Sequence, residues 1–198
     1  MLFLCKFTDY ALNLEITENN IYNKDKICLS KIFISKTEIK GGKQRMSKEN
    51  CESEARKKIA ASIGATPEEI YFTSGRADGH LKALKAVVKA SKKARPHVII
   101  TTMEDPEVLD ECSRLERKDA VVTYLDPITT GRVEVAMIEN ELKENTELIS
   151  VTAANCQTGT SEPFTGIGTM TSEKGVIFHT DAAFAFGKMP INVERKSY

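Results

Sequence analysis

The sequence predicts an α/β fold, a mostly parallel sheet between helix layers. Three observations carry that expectation. From Cys51 onward, short apolar runs alternate with longer runs whose apolar residues recur at helical spacing, the pattern of successive βαβ units. Hydrophobic residues make up 41% of the 198, enough to bury the core of one domain. Small and polar residues follow the ends of the apolar runs, where ligands bind in open sheets of this kind.

The elements follow in order. Residues 1–50 read as an N-terminal arm, weakly structured, rich in Lys, Asn and Glu, with one strand at Lys31-Ile32-Phe33-Ile34-Ser35. Glu52 to Ile63 places Ala55, Ile59, Ala60 and Ile63 on one helical face, and Gly64 is a natural stop. Ile70 to Phe72 is a strand, followed by a helix from Ala77 to Lys92. Strands are expected at Val98–Ile100, Ala120–Leu125, Leu148–Thr152 and Val176–Phe178. Helices are expected at Asp105–Leu115 and Val135–Leu142, with a short one around Ile167–Glu173. Ile191-Asn192-Val193 reads as the approach to a further element, so the large domain over 51–198 is expected to be incomplete at its C-terminus.

Composition excludes several classes of function. Lysine plus arginine and aspartate plus glutamate both number 28, so no global basic field awaits nucleic acid or an anionic membrane. The five cysteines (Cys5, Cys28, Cys51, Cys112, Cys156) are odd in number, widely spaced and without a Cys-x-x-Cys pair. They suit neither a disulfide framework nor a zinc site. His80, His97 and His179 are scattered, so no metal is expected. Met1 to Cys5 is apolar but too short to span a bilayer. Cytoplasmic localisation is the simplest expectation, with a mitochondrial address the alternative.

Candidate chemistry sits where strands end. Thr73, Ser74 and Gly75 stand between a strand and a helix. Hydroxyls and backbone amides there can bind an anion or merely cap the helix. Asn155 lies in Ala153-Ala154-Asn155-Cys156-Gln157-Thr158-Gly159-Thr160, either a close-approach loop offering amides or a plain polar turn. Asp181 ends His179-Thr180-Asp181-Ala182-Ala183. A carboxylate there needs a partner: a cap, a base or a cationic ligand atom. No P-loop, Gly-x-Gly-x-x-Gly or Gly-x-Ser-x-Gly is present, which weakens nucleotide-binding and hydrolase readings.

Taken together, Glu54 to Ala60, Gly64 to Gly75, Glu104 to Leu109, Ala154 to Gly159, His179 to Ala183 and Gly187 to Ile191 resemble the cysteine desulfurase and selenocysteine lyase family. The resemblance runs from about Cys51 to Val193. It implies the large domain of a fold-type I pyridoxal-phosphate enzyme of the class V aminotransferase type. It further implies a homodimer or family partner, and an amino-acid substrate, cysteine or selenocysteine, losing sulfur or selenium to leave alanine. By resemblance, Asp181 pairs with the pyridine nitrogen of pyridoxal phosphate. Asn155 lies near the ring hydroxyl, and Thr73, Ser74 and Gly75 begin the phosphate-cradling turn.

Departures accompany the likeness. The turn continues Arg76-Ala77-Asp78 where the family has Ala-Thr-Glu, losing a phosphate-holding hydroxyl. Asp105 stands where a ring-stacking histidine is expected, Phe184 where a glutamine is, and Cys156-Gln157 where Asn-Glu is usual. The family's Schiff-base lysine is expected beyond Tyr198, so no catalytic residue is assigned within the chain. On this reading the chain by itself is inactive. The alternative is a non-catalytic relative that keeps the fold for binding or dimerisation.

Overall fold

The computed structural model describes residues 2–6, 31–35 and 48–193. Seven strands form one sheet: β1 (Leu2–Lys6), β2 (Lys31–Ser35), β3 (Ile70–Thr73), β4 (His97–Thr101), β5 (Val121–Leu125), β6 (Thr146–Ser150) and β7 (Ile177–Asp181). Five helices accompany them: α1 (Lys48–Ile63), α2 (Arg76–Ala90), α3 (Pro106–Glu116), α4 (Val135–Asn140) and α5 (Phe164–Lys174). The strand order is β3-β2-β1-β7-β6-β4-β5. β2 runs parallel to β3, β4 to β5 and β6, and β6 to β7. β1 alone is antiparallel to both of its neighbours. Two reversals cancel, so β3 and β7 point the same way, and the carboxyl ends of β3, β4, β6 and β7 share one rim.

The period of two along the central strands builds the layers. Val98 and Ile100 of β4, with Leu148 of β6, face one side, where Leu84, Val87 and Val88 of α2 meet Val108, Cys112 and Leu115 of α3. Ile99 of β4 and Ile149 of β6 face the other, where Val133, Ile138, Ile167 and Met170 lie with Phe178 of β7. All five residues of β4 are buried, as expected of a strand covered on both faces. A third cluster joins Ala60 and Ile63 of α1 to Ile70, Ala153, Ala182, Ala185 and Val193.

The expected alternation is present, with shifted boundaries. α1 begins at Lys48 rather than Glu52, and α5 spans Phe164–Lys174 rather than a shorter stretch. The shift that matters most for the rim concerns β7, which runs through to Asp181. His179, Thr180 and Asp181 were expected to follow the strand. They belong to it because they pair with Cys5, Leu4 and Phe3 of β1. The strand expected at Lys31–Ser35 is β2; β1 was not foreseen. The rest of the arm, residues 7–30 and 36–47, lies outside the described residues.

Two local features have consequences for stability. Gly64 stops α1 with φ of +68°, in the left-handed region. A Cβ there would stand 3.0 Å from Asn192 Oδ1, while Val193 N donates to Ile63 O at 2.9 Å. Gly64→Ala is expected to cost about 1–2 kcal/mol, measured by urea denaturation. At the opposite rim, His97 is fully buried and pairs with Thr146 Oγ1 and Thr123 Oγ1, both at 2.8 Å, stitching β4 to its two neighbours. Burial, then the nearby Lys143 ammonium, pulls its pKa down to about 4. The unfolded chain takes up this proton near the ordinary pKa of about 6.5. The contribution is therefore complete above that pH and is lost as pH falls through the window down to about 4. In His97→Gln, the slope of stability against pH within this window should flatten by up to about 1.4 kcal/mol per pH unit. An unchanged slope in denaturation curves across the window would refute the assignment.

Candidate functional site

The rim formed by the carboxyl ends of the strands gathers the candidate residues. Asp181, the last residue of β7, is 1% exposed. Its Oδ1 accepts the Ala183 backbone N–H at 2.8 Å, and its Oδ2 lies 3.3 Å from His80 Nε2. Its carbonyl accepts from Ala153 N at 2.8 Å and from Thr152 Oγ1 at 3.4 Å, tying the end of β7 to the segment after β6. Ala182 and Ala185 are buried alongside. Of the partners foreseen for Asp181, it has both a capped segment and a base.

His80 comes from the second turn of α2. Its Nδ1 lies 3.2 Å from His179 Nε2, and His179 Nδ1 lies 2.8 Å from Ser150 Oγ. The two rings meet edge to face, with centroids 5.0 Å apart. Burial above all, with His80 beside it, pulls the His179 pKa down to about 3 against the opposing pull of Asp181. His179 is thus neutral at physiological pH.

Thr73, Ser74 and Gly75 lie at the end of β3, separated from β7 by two strands. α2 starts beside them and packs across β1, β2 and β3 to reach β6, which brings its His80 to Asp181. Neither hydroxyl caps the helix in the foreseen manner; the N-cap is Gly75, extended and without a side-chain bond. Thr73 Oγ1 donates to Gly75 O at 2.9 Å. Ser74 donates to Asp78 Oδ2 from both its backbone N–H (3.1 Å) and its hydroxyl (2.9 Å). Lys82 Nζ meets the same oxygen at 3.0 Å. Burial raises the Asp78 pKa, but the bonds from Lys82 and Ser74 outweigh it and leave the carboxyl below its ordinary value. A Cβ built on Gly75 would meet nothing, so its backbone borders open space. The side chains of Arg76 and Ala77 lie outside the described residues.

Asn155 organises its own loop. Its Oδ1 accepts from Gln157 N (2.8 Å) and Thr158 N (3.1 Å), and its Nδ2 donates to Met103 O at 3.4 Å. This is an Asx turn, with Cys156 and Gln157 exposed on it. Asp105 serves as N-cap of α3, accepting from Glu107 N at 3.1 Å ahead of Pro106. Phe184 is half-buried. Among the described residues, no group of three or more His, Cys, Asp or Glu could hold a metal ion. Among them, too, no helix is long and apolar enough to cross a membrane.

The aminotransferase class-V family model matches residues 40–197. The chain belongs to that family. It is 40% identical over 141 residues to the cysteine desulfurase IscS of Shewanella piezotolerans, a match covering 71% of this chain and 35% of that protein. It is 39% identical over 147 residues to the mitochondrial cysteine desulfurase of Arabidopsis thaliana, covering 74% and 32% respectively. The chain thus spans about a third of the length of these class V relatives. Among solved structures, SspA in complex with cysteine superposes with a TM-score of 0.71 at 35% identity, over 74% of this chain and 42% of that one. A NifS-like protein follows with a TM-score of 0.70 at 30% identity, over 74% and 41%. This likeness bears out the fold-type I, class V architecture expected from the sequence.

Two buried groups at this class V rim escaped sequence reasoning. One is His80. The other is Glu104, 6% exposed, whose Oε1 accepts from Thr101 Oγ1 at 2.9 Å and Thr152 N at 2.6 Å. It locks the turn after β4 to the segment after β6. Glu104→Ala would strip a buried amide of a charged acceptor, at a cost of about 1.5–3 kcal/mol. Glu104→Gln should recover most of it, both read from chemical denaturation.

Proposed function

We propose that this chain carries the cofactor-facing part of a pyridoxal-phosphate-dependent enzyme that removes sulfur from cysteine. The observation that supports this best is the Asp181 carboxylate, 1% exposed at the carboxyl end of β7. Pyridoxal phosphate, when bound, supplies an electron sink for negative charge at the substrate α-carbon. The part of Asp181 is to face the pyridine nitrogen and hold a proton on it. A carboxylate in a low-dielectric rim favours the charged form of an adjacent base. Ala182 and Ala185 are small residues buried beside Asp181.

Asn155 would meet the ring hydroxyl with its amide. Thr73, Ser74 and Gly75 would meet the phosphate, with the open backbone at Gly75 as the point of approach. The fit at this end is partial, because the Asp78 carboxylate already takes both donors of Ser74 and must give way to an anion. Selenocysteine would lose selenium by the same chemistry, and a homodimer is the assembly this reading favours. The division into an arm (1–50) and a partial large domain (51–198) belongs to the same proposal. So does a cytosolic or mitochondrial site of action.

A second reading, a non-catalytic relative, draws support from the same Asp78 contact and from Asp105, which caps α3 and offers no ring to stack on a cofactor. Equilibrium dialysis of the full 198-residue chain against pyridoxal phosphate separates the two. Saturable uptake is expected, weakened about 10- to 100-fold in Asp181→Asn, the effect of losing a charge-assisted hydrogen bond. A folded chain that takes up no cofactor would favour the non-catalytic relative.

A further inference from the structure

We propose that His80 is a positioning residue that fixes the Asp181 carboxylate through an Nε2–H donated to Oδ2. The His179–Ser150 pair sets which His80 nitrogen carries that proton. The contact itself stands on the geometry, while its bearing on a cofactor rests on the reading of Asp181 given above.

The contacts permit little freedom. An ionised carboxylate only accepts, so the nitrogen 3.3 Å from Asp181 Oδ2, His80 Nε2, must carry a hydrogen. In a neutral ring the other nitrogen is then bare. With His80 uncharged, its Nδ1 accepts from its neighbour at 3.2 Å, His179 Nε2. That leaves His179 Nδ1 bare, and it accepts from the Ser150 hydroxyl at 2.8 Å. One direction of donation, Ser150 to His179 to His80 to Asp181, satisfies these three contacts with both rings uncharged. All four residues are at most 1% exposed, so water does not compete at these bonds. Ser150 and His179 face one another across the β6–β7 ladder, which makes the start of the chain as rigid as the sheet.

The arrangement defines the plane of the carboxylate. Ala183 N–H holds Oδ1 at 2.8 Å, and His80 holds Oδ2. Two anchors on the two oxygens remove the rotation that a carboxylate on one anchor keeps. A group meant to meet a ring nitrogen head-on needs that restraint.

The test uses the full chain, whose three histidines make the signals few. Two-bond proton–nitrogen correlation spectra of the histidine-labelled protein at neutral pH report the tautomers without any cofactor. His80 and His179 are both expected as Nε2–H forms, and Asp181→Asn should shift the His80 Nε2 resonance. A bare Nε2 on His80 overturns the proposal. Pyridoxal phosphate affinity is then compared in His80→Leu and His80→Gln, the glutamine amide standing about where the imidazole Nε2 stood. A loss of tenfold or more in His80→Leu, restored to within threefold by His80→Gln, supports positioning. Equal affinities in wild type and both variants overturn it. If wild type takes up no pyridoxal phosphate, the cofactor reading falls, and the tautomer of His80 alone decides the contact with Asp181.

Discussion

A charge taken out of water governs the architecture of this rim. Desolvating a carboxylate costs several kcal/mol unless donors replace the lost water, and Asp181 sits at 1% exposure. The surroundings answer that requirement. The chain turns directly after β7 so that Ala183 N–H can reach Oδ1. α2 crosses the sheet so that an imidazole can reach Oδ2. The segment after β6 is drawn in by Ala153 N–H and the Thr152 hydroxyl on the Asp181 carbonyl, and Glu104 secures Thr152 in turn. Small residues at 153, 182 and 185 pack closely together in one buried cluster beside Asp181.

α2 gives the site its unity. The sheet separates β3 from β7 by two strands, so Thr73 and Asp181 could not share a ligand through the strands alone. One helix that begins beside Ser74 and carries His80 in its second turn bridges that gap. Its first turn is stabilised from within, by Asp78 on Ser74, and its second by Asp181. The two candidate ends of a bound molecule are thus joined by a single rigid rod.

Much of this was legible in the sequence, for physical reasons. Strands covered on both faces read as continuous apolar runs, so β4 and its neighbours were plain. Asp181 stood out because an acidic residue closing such a run has no cheap resting place. Other residues were legible only in part. Asn155 was rightly placed in a tight loop, but its Oδ1 is spent on that loop's own amides. Thr73 and Ser74 were rightly placed at a helix start, yet they bond to Gly75 and Asp78 rather than capping. His80 gave no signal: in sequence it is one polar residue in an amphipathic helix, and its partners lie 99 and 101 residues away. β1 was missed because an apolar run so short carries no period to distinguish strand from helix.

The place of β1 has a consequence for biosynthesis. β1 is the first of the described strands in chain order, and β7, its partner along Phe3 to Lys6, is the last. Until β7 emerges, β1 can pair only with β2, and β2 in turn with β3. β6 and the β4–β5 pair meanwhile lack the strand that joins them to β1. Joining β1 to β7 must therefore wait until β7 has been made, and the contact to be closed reaches from Lys6 to Phe178. Such non-local pairing is slow and leaves strand edges exposed in the interim. The nascent chain, more than the finished fold, is where this topology asks for a chaperone.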